Sequence, residues 1–307
     1  MIKNLFPIAD KSKLQRKQLI QPLFVDQQLK NKKRIKGLGE NFSWPKNLIC
    51  KSIEQDLKKG IKNFLLFIVP AEKQKTPEDF SFHYDVIHQI KKSFGKNITL
   101  LIDTCLCSMT QDGHCGITHS KKIDLKKTHY SLGLAANTYL EAGADIIAPS
   151  DMMKNTTQYL RKIFHENNFA DAQIMSYSTK FKSTLYGPFR DAAKSSPKGF
   201  DRSSYQLPVN DRQKAIDSSV INAAQGANYL MVKPGMTSID LITDIKNQTL
   251  LPTGAYQVSG EYAGLQLLHS TNLGNYIDLL FESLTVFKRA RADFIITYGA
   301  RDIAKYL

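Results

Sequence analysis

Two lysines stand at the ends of short apolar runs. Lys180 closes Gln-Ile-Met-Ser-Tyr-Ser-Thr-Lys (173–180), and Lys233 closes Tyr-Leu-Met-Val-Lys (229–233) ahead of Pro-Gly-Met. Burial penalises an ammonium ion, so a lysine ending a buried strand can lose its proton near neutral pH and attack a carbonyl. A pair of such amines suits an enzyme that holds two carbonyl substrates, because neighbouring ammonium ions repel and depress each other's pKa. The bland alternative is two strand-end amines snorkelling to water, so the neighbours have to decide.

A second group is thiol-rich. Cys105, Cys107 and Cys115 form C-x-C-x7-C immediately after Asp103. Three thiolates suit Zn2+, and a fourth position left to water marks a catalytic rather than a closed structural site. His114 adjoins Cys115 and is a conceivable fourth ligand; free thiols packed at a barrel rim are the other reading. Cys50 stands alone and reads as a buried apolar residue.

Composition bounds the rest. The 307 residues carry 42 Lys and Arg against 28 Asp and Glu, a formal charge of +14. The basic residues are spread out, with one dense run at Lys30–Lys36 and no nucleic-acid-binding signature, so nucleic acid is not an expected partner. No uninterrupted apolar stretch of membrane-spanning length occurs, and the first residues lack a signal peptide's apolar core. The expectation is a cytoplasmic protein with no membrane partner, and its clustered cysteines point to metal or redox chemistry rather than a disulfide framework.

These residues need elements to carry them. Eight β-prone runs occur at Ile20–Val25, Phe64–Val69, Ile98–Asp103, Asp145–Pro149, Ile174–Ser178, Tyr229–Val232, Ala255–Val258 and Phe294–Thr297. Amphipathic helical spans fall near 78–93, 129–142, 153–166, 211–225, 238–247, 261–270 and 273–291. Strands alternating with helices predict parallel βαβ units, and eight units predict an α/β fold of the (β/α)8 TIM-barrel class. A doubly wound sheet would want a Gly-rich phosphate turn after an early strand, and none is present. Residues 1–18 read as a short N-terminal arm, extended or packed on another subunit, and 19–307 as the catalytic barrel.

Such barrels place their chemistry at the C-terminal strand ends. In order these are Asp103, Ser150 with Asp151, Lys180, Lys233, Ser259 and Tyr298. The stretch from Tyr186 to Asn210 is too long for a passive loop and predicts a lid. It carries Arg190, Arg202 and Gln206, whose forked donors suit a carboxylate. Ser259 opens a helix and Tyr298 ends a strand, so both can donate to an anion.

Several strings together resemble the porphobilinogen synthase (5-aminolaevulinate dehydratase) family. They are Asp-Thr-Cys-Leu-Cys (103–107), Asp-Gly-His-Cys-Gly (112–116), Gly-Ala-Asp-Ile-Ile-Ala-Pro-Ser-Asp-Met-Met (143–153) and Met-Ser-Tyr-Ser-Thr-Lys (175–180). Tyr-Gly-Pro-Phe-Arg-Asp-Ala (186–192), Met-Val-Lys-Pro-Gly-Met (231–236), Val-Ser-Gly-Glu-Tyr-Ala (258–263) and Ile-Ile-Thr-Tyr (295–298) follow in the same order. The resemblance runs from about residue 19 to the C-terminus. It implies a TIM barrel that condenses two molecules of 5-aminolaevulinate into porphobilinogen with loss of two waters.

On that resemblance Lys233 forms a Schiff base with the substrate that supplies the propionate side, whose carboxylate Ser259 and Tyr298 hold. Lys180 binds the second substrate, whose carboxylate meets Arg190, Arg202 and Gln206. Asp103 assists proton transfers, and Ser150, Tyr186 and Phe189 are further substrate contacts. Cys105, Cys107 and Cys115 match the zinc-dependent subgroup, with the metal as Lewis acid. Self-association follows too, at least a dimer, with the family's octamer as the larger form.

The chain also departs from the family pattern. Asp112 replaces a usual histidine, Met109 a usual aromatic, and Lys-Asn-Thr follows Met153 in place of Asp-Gly-Arg. Ser218 stands where magnesium-regulated members carry a glutamate, and Gln-Gly-Ala-Asn (225–228) replaces Glu-Gly-Ala-Asp, which counts against an allosteric Mg2+ site. The arm lacks the family's arginine-rich stretch. Two rival readings are a class I aldolase-like Schiff-base barrel, which needs neither the second lysine nor the thiols, and a degenerate, basic paralogue that binds a tetrapyrrole precursor or another macromolecule.

Overall fold

The structure is a computed structural model and describes residues 13–307. The eight expected strands form as β1 (Leu19–Asp26), β2 (Asn63–Val69), β3 (Thr99–Thr104), β4 (Ile146–Pro149), β5 (Gln173–Lys180), β6 (Tyr229–Lys233), β7 (Thr253–Tyr256) and β8 (Ile295–Ile296). Each pairs in parallel with the next, and β8 pairs back onto β1 through Leu19 with Ile295 and Ile20 with Ile296, closing the barrel. A short antiparallel ribbon, Lys33–Arg34 with Phe42–Trp44, lies beside β1.

The helices are α1 (Ile49–Lys58), α2 (Ser81–Phe94), α3 (Leu125–Glu141), α4 (Thr156–Glu166), α5 (Gly187–Ala192), α6 (Arg212–Ala224), α7 (Ile239–Thr249), α8 (Ser259–Ser270), α9 (Tyr276–Arg289) and α10 (Ala300–Ile303). Seven overlap the expected spans. The unexpected α1 has its own pattern, burying Ile49, Ser52, Ile53 and Asp56 at helical spacing. Polar caps set several starts: Asp124 accepts from Lys127 N at 3.0 Å for α3, and Asp211 from Lys214 N at 2.9 Å for α6. The segment read as one long loop contains α5, with Pro188 in its first turn.

Strand alternation divides the core in two. Leu66, Leu100, Ile147, Val232 and Ile295 face the helices, whereas Ile20, Leu65, Leu101, Ile146, Met231 and Ile296 fill the barrel. Phe294 fits inside only because Gly254 has no side chain, since a Cβ there would lie 2.2 Å from the ring. Of the 1–18 arm, residues 1–12 lie outside the described residues. Beyond them Leu14 is buried, Arg16 Nε donates to Ala304 O (2.6 Å), and Gln18 Nε2 donates to Asp293 O (3.1 Å). These contacts tie residues 14–18 to the barrel.

Candidate active site

β6 alternates without interruption. Tyr229 and Met231 point inward, Leu230 and Val232 outward, and Lys233 therefore falls on the inner face. β5 needs a device. Met175 and Tyr177 point inward, which by simple alternation would turn Lys180 out towards α6. The register with β6 slips instead: Leu230 pairs with Ser176 but Val232 pairs with Thr179. This bulge turns Ser178 and Thr179 both outward, where each hydroxyl meets Ser219 Oγ at 2.8 Å, and it re-aims Lys180 into the barrel. Lys180 and Lys233 then become direct partners on adjacent strands, with Cα atoms about 5 Å apart by strand spacing.

Lys233 is 4% exposed. Its Nζ lies 4.1 Å from the ring centre of Tyr256, 5.0 Å from Phe189, 5.1 Å from Tyr177 and 5.3 Å from Tyr186. Ring faces favour a cation by about 0.5–2 kcal/mol, but desolvation outweighs them. Burial first, and then the Lys180 ammonium, lower Lys233 to about 7, against the upward pull of Asp103, Cys107 and Cys105. Free amine is therefore available on Lys233 near neutral pH. Lys180 is buried as well, donates to Ser150 O, and lies 5.6 Å from the Tyr177 ring.

Asp103 faces both amines. Burial raises its pKa, against the opposing pull of the Lys180 and Lys233 amines. Asp103 Oδ1 and Tyr177 Oη are buried without a hydrogen-bond partner. A carboxyl in that setting can hold or pass a proton beside the reacting carbons.

The three cysteines converge. Their sulfurs lie within 4.8 Å of one another and all are buried. Three sulfurs on one Zn2+ at about 2.3 Å would stand ~3.8 Å apart in a tetrahedron, so the group fits a metal ion after small side-chain adjustments. Hydrogen bonds from Cys105 and Cys107 pull the Cys115 thiol well below its usual range, aided by Arg202 and Lys180. His114 turns away from the sulfurs. Its Nδ1 meets Tyr205 Oη at 3.0 Å, its Nε2 meets Lys198 O at 3.2 Å, and its ring stacks on Phe200 at 3.8 Å. Both ring nitrogens are used by the lid, which leaves none for a metal.

The lid consists of α5 and the strap that follows it. Phe189 inserts against Phe67 at 5.0 Å and Phe24 at 5.9 Å, so the space left between Asp103, Cys107 and Phe189 is only about 10 Å³. Lys194 pairs with the buried Asp26 at 2.8 Å and holds the lid against the end of β1. Arg202 is 3% exposed and donates to Gly113 O (2.9 Å) and Ser195 O (2.6 Å). Arg190 Nε, Arg202 Nε and both amide atoms of Gln206 are buried without partners. Natural proteins rarely leave such polar atoms unpaired, and the three N–H donors among them suit a carboxylate. Beside the lid base, Tyr205, Gln206, Asp151 and Met153 border a cavity of about 850 Å³.

Comparison with known proteins agrees with this architecture. The family model for delta-aminolevulinic acid dehydratase matches residues 3–306. The chain belongs to that family. Curated dehydratases from Helicobacter pylori and Escherichia coli are 39% and 36% identical, the matches covering 99% and 94% of this chain and 95% and 89% of those proteins. A crystal structure of the Toxoplasma gondii dehydratase (porphobilinogen synthase) with its reaction product porphobilinogen superposes with a TM-score of 0.92 at 32% identity. That match covers 96% of this chain and 86% of the other. A dihydropteroate synthase from Xanthomonas albilineans, at 8% identity and a TM-score of 0.51, covers 94% of this chain and 89% of its own, and shares the fold alone. Family membership makes the chain an enzyme of the hydro-lyase class.

The remaining expected positions of this dehydratase differ in what they face. Tyr186 borders the Lys233 amine, its hydroxyl donating to Phe181 O (2.8 Å) and lying 3.2 Å from Lys233 O. Tyr298 is fully buried at the end of β8, with its hydroxyl 3.1 Å from that of Tyr256. Ser259 faces the lid: its Oγ accepts from Phe189 N (3.1 Å) and donates to Leu185 O (3.3 Å). Asp151 turns away from the amines, accepting from Met153 N (2.8 Å) and Thr156 Oγ1 (2.7 Å) to shape the turn into α4.

Reading the sequence missed Tyr177, Tyr205 and Tyr256. The first and last are inward-phase residues on β5 and β7, so alternation alone could have found them. Tyr205 has no such signal, because it acts from an irregular strap. Among the described residues no helix is long and apolar enough to cross a membrane.

Proposed function

We propose that this dehydratase condenses two molecules of 5-aminolaevulinate into porphobilinogen, the first pyrrole of tetrapyrrole and haem biosynthesis. The observation that carries the proposal is the direct pairing of two buried lysines, Lys180 and Lys233, at one end of the barrel. Each amine condenses with a substrate ketone and releases one water, which accounts for both waters lost. The iminium carbon is then an electron sink. The amino group of the Lys233-bound substrate attacks the other iminium and displaces Lys180. The carbon next to that centre, after losing a proton, attacks the Lys233 iminium, and Lys233 leaves. Both lysines are regenerated, and in this reading Asp103 takes and returns the protons.

Carboxylate binding follows the lid chemistry. Arg190, Arg202 and Gln206 would hold the Lys180-side carboxylate, with Ser259 and Tyr298 on the Lys233 side. Ser150, Tyr186 and Phe189 would wall the reacting atoms and exclude water. Zn2+ is the ion proposed for Cys105, Cys107 and Cys115, where a bound metal would supply Lewis acidity towards a substrate or water oxygen. Zinc analysis of the purified protein should give about one ion per chain. Loss of activity on chelation and its return with zinc should accompany that figure, and full activity in a metal-free preparation would remove the assignment.

Self-association, at least to a dimer and up to an octamer, a cytoplasmic location, and the division into an arm (1–18) and a barrel (19–307) belong to the same reading. The direct test incubates the protein with 5-aminolaevulinate and measures pyrrole, with parallel borohydride reduction and peptide mapping. Pyrrole should form and a reduced adduct should map to Lys233. Absence of label on both lysines would overturn the mechanism.

A further inference from the structure

We infer that Glu261 is a positioning residue for Lys233, its carboxylate tying the loop after the lysine to the helix on which the lid docks. The inference rests on the Schiff-base role proposed above. Glu261 lies in the first turn of α8 and is 8% exposed. Its Oε1 accepts from Met236 N at 2.8 Å and Thr237 N at 3.3 Å, in the turn that directly follows Lys233 and Pro234. Its Oε2 accepts from Val258 N at 2.8 Å. One carboxylate therefore joins the exits of β6 and β7.

Helix capping explains only part of this. A glutamate three residues into a helix commonly reaches back to the N-cap amide, which accounts for Val258 but not for the two bonds to the β6 loop. Burial pushes Glu261 up to about 7 while the surrounding backbone amides pull it down, so the group occupies a place that is costly for a carboxylate. The same turn of α8 carries the lid. Ser259 Oγ bonds the backbone of Leu185 and Phe189, and a Cβ on Gly260 would lie 2.6 Å from Leu185 O. Phe189 in turn stands 5.0 Å from the Lys233 amine. The clamp thus fixes the lysine loop and the lid's docking point relative to each other. Loosening it admits water to Lys233, and a rehydrated amine returns towards the ordinary lysine pKa.

Glu261→Gln tests this, since one of its two terminal atoms becomes an NH2 facing a backbone N–H and one loop is released. Borohydride trapping of 5-aminolaevulinate on Lys233 at neutral pH should slow by about tenfold or more, and its pH midpoint should rise by on the order of one unit. Glu261→Asp retains two acceptor oxygens and should restore part of both. The comparison variant is Asp293→Asn, a buried carboxylate before β8 that accepts from Thr253 N (3.0 Å) and Lys246 Nζ (2.6 Å). It should lower Tm yet keep the wild-type trapping rate and midpoint. Wild-type trapping in Glu261→Gln, or equal losses in Asp293→Asn at matched Tm, would overturn the inference alone. Failure of the wild type to trap on Lys233 would sink the Schiff-base reading and the inference with it.

Discussion

Lys233→Met should abolish pyrrole formation, by about 10⁴-fold or more, and remove the borohydride label. Loss of a covalent nucleophile leaves only what binding and the surrounding charges supply. Lys180→Met should lower turnover by roughly 10²–10⁴-fold while Lys233 still takes label, because the first condensation needs only one amine. Label lost from Lys233 in Lys180→Met, or normal turnover in either variant, would contradict the division of labour between them.

The same pair gives a pH signature. With Lys233 at about 7, trapping should rise tenfold per unit below pH 7 and level off above it. Lys180→Met removes the ammonium that helps lower Lys233, so the midpoint should move up. Stability runs in the matching direction. A lysine whose folded pKa lies below its unfolded value makes the folded protein bind fewer protons, so its burial costs most below pH 7 and that cost fades as pH rises towards 10.5. Lys233→Met should therefore gain Tm relative to wild type at pH 6 more than at pH 9.

How much of this was legible beforehand depends on which residue is asked about. Lys233, Asp103 and the strands that hold them follow from period-two alternation between apolar runs, and the closed sheet follows from counting eight such runs. Lys180 does not follow in the same way. Strict alternation from Met175 and Tyr177 sends it outward, and only the one-residue bulge, made tolerable by hydrogen bonds between the Ser219 hydroxyl and those of Ser178 and Thr179, returns it to the barrel. Spacing places a bulge poorly because its stabilising partner sits on α6, about 40 residues away.

The thiols illustrate a different limit. Their spacing predicted convergence, and the sulfurs do meet, but which nearby histidine joins them is a question of ring direction. His114 is adjacent to Cys115 in sequence and is claimed by Tyr205 and Lys198, more than 80 residues distant. Glu261 was in plain view within Val-Ser-Gly-Glu-Tyr-Ala and reads from sequence as an ordinary first-turn glutamate. Its bonds to Met236 and Thr237 exist because two neighbouring strand exits lie side by side, which the parallel pairing of β6 with β7 provides.

Arg202→Met should be the most damaging change in the lid, and it should act on two sites at once. The guanidinium is buried, bonds Gly113 O beside Cys115 and Ser195 O within the lid, and keeps Nε unpaired for a ligand. Removing it takes a donor from two buried carbonyls and, on the proposed reading, the forked partner from the substrate carboxylate. Truncating one member of a buried charged pair commonly costs 2–5 kcal/mol, so kcat/KM should fall by about 10²–10³-fold, with KM rising first. Arg190 holds only Ser183 O, at 3.4 Å, and is half-buried, so Arg190→Met should cost less, about tenfold. Because Gly113 O belongs to the loop that presents Cys115, Arg202→Met loaded with the proposed zinc should also release it to a competing chelator faster than zinc-loaded wild type, whereas Arg190→Met should not. A single nitrogen, Nη2, reaches both carbonyls. Arg202→Lys keeps the charge and one such nitrogen but lacks the further guanidinium donors that grip a carboxylate, so it should recover less than half of the lost binding energy. Equal chelator kinetics in all three variants would confine Arg202 to substrate binding and break its link to the thiol loop.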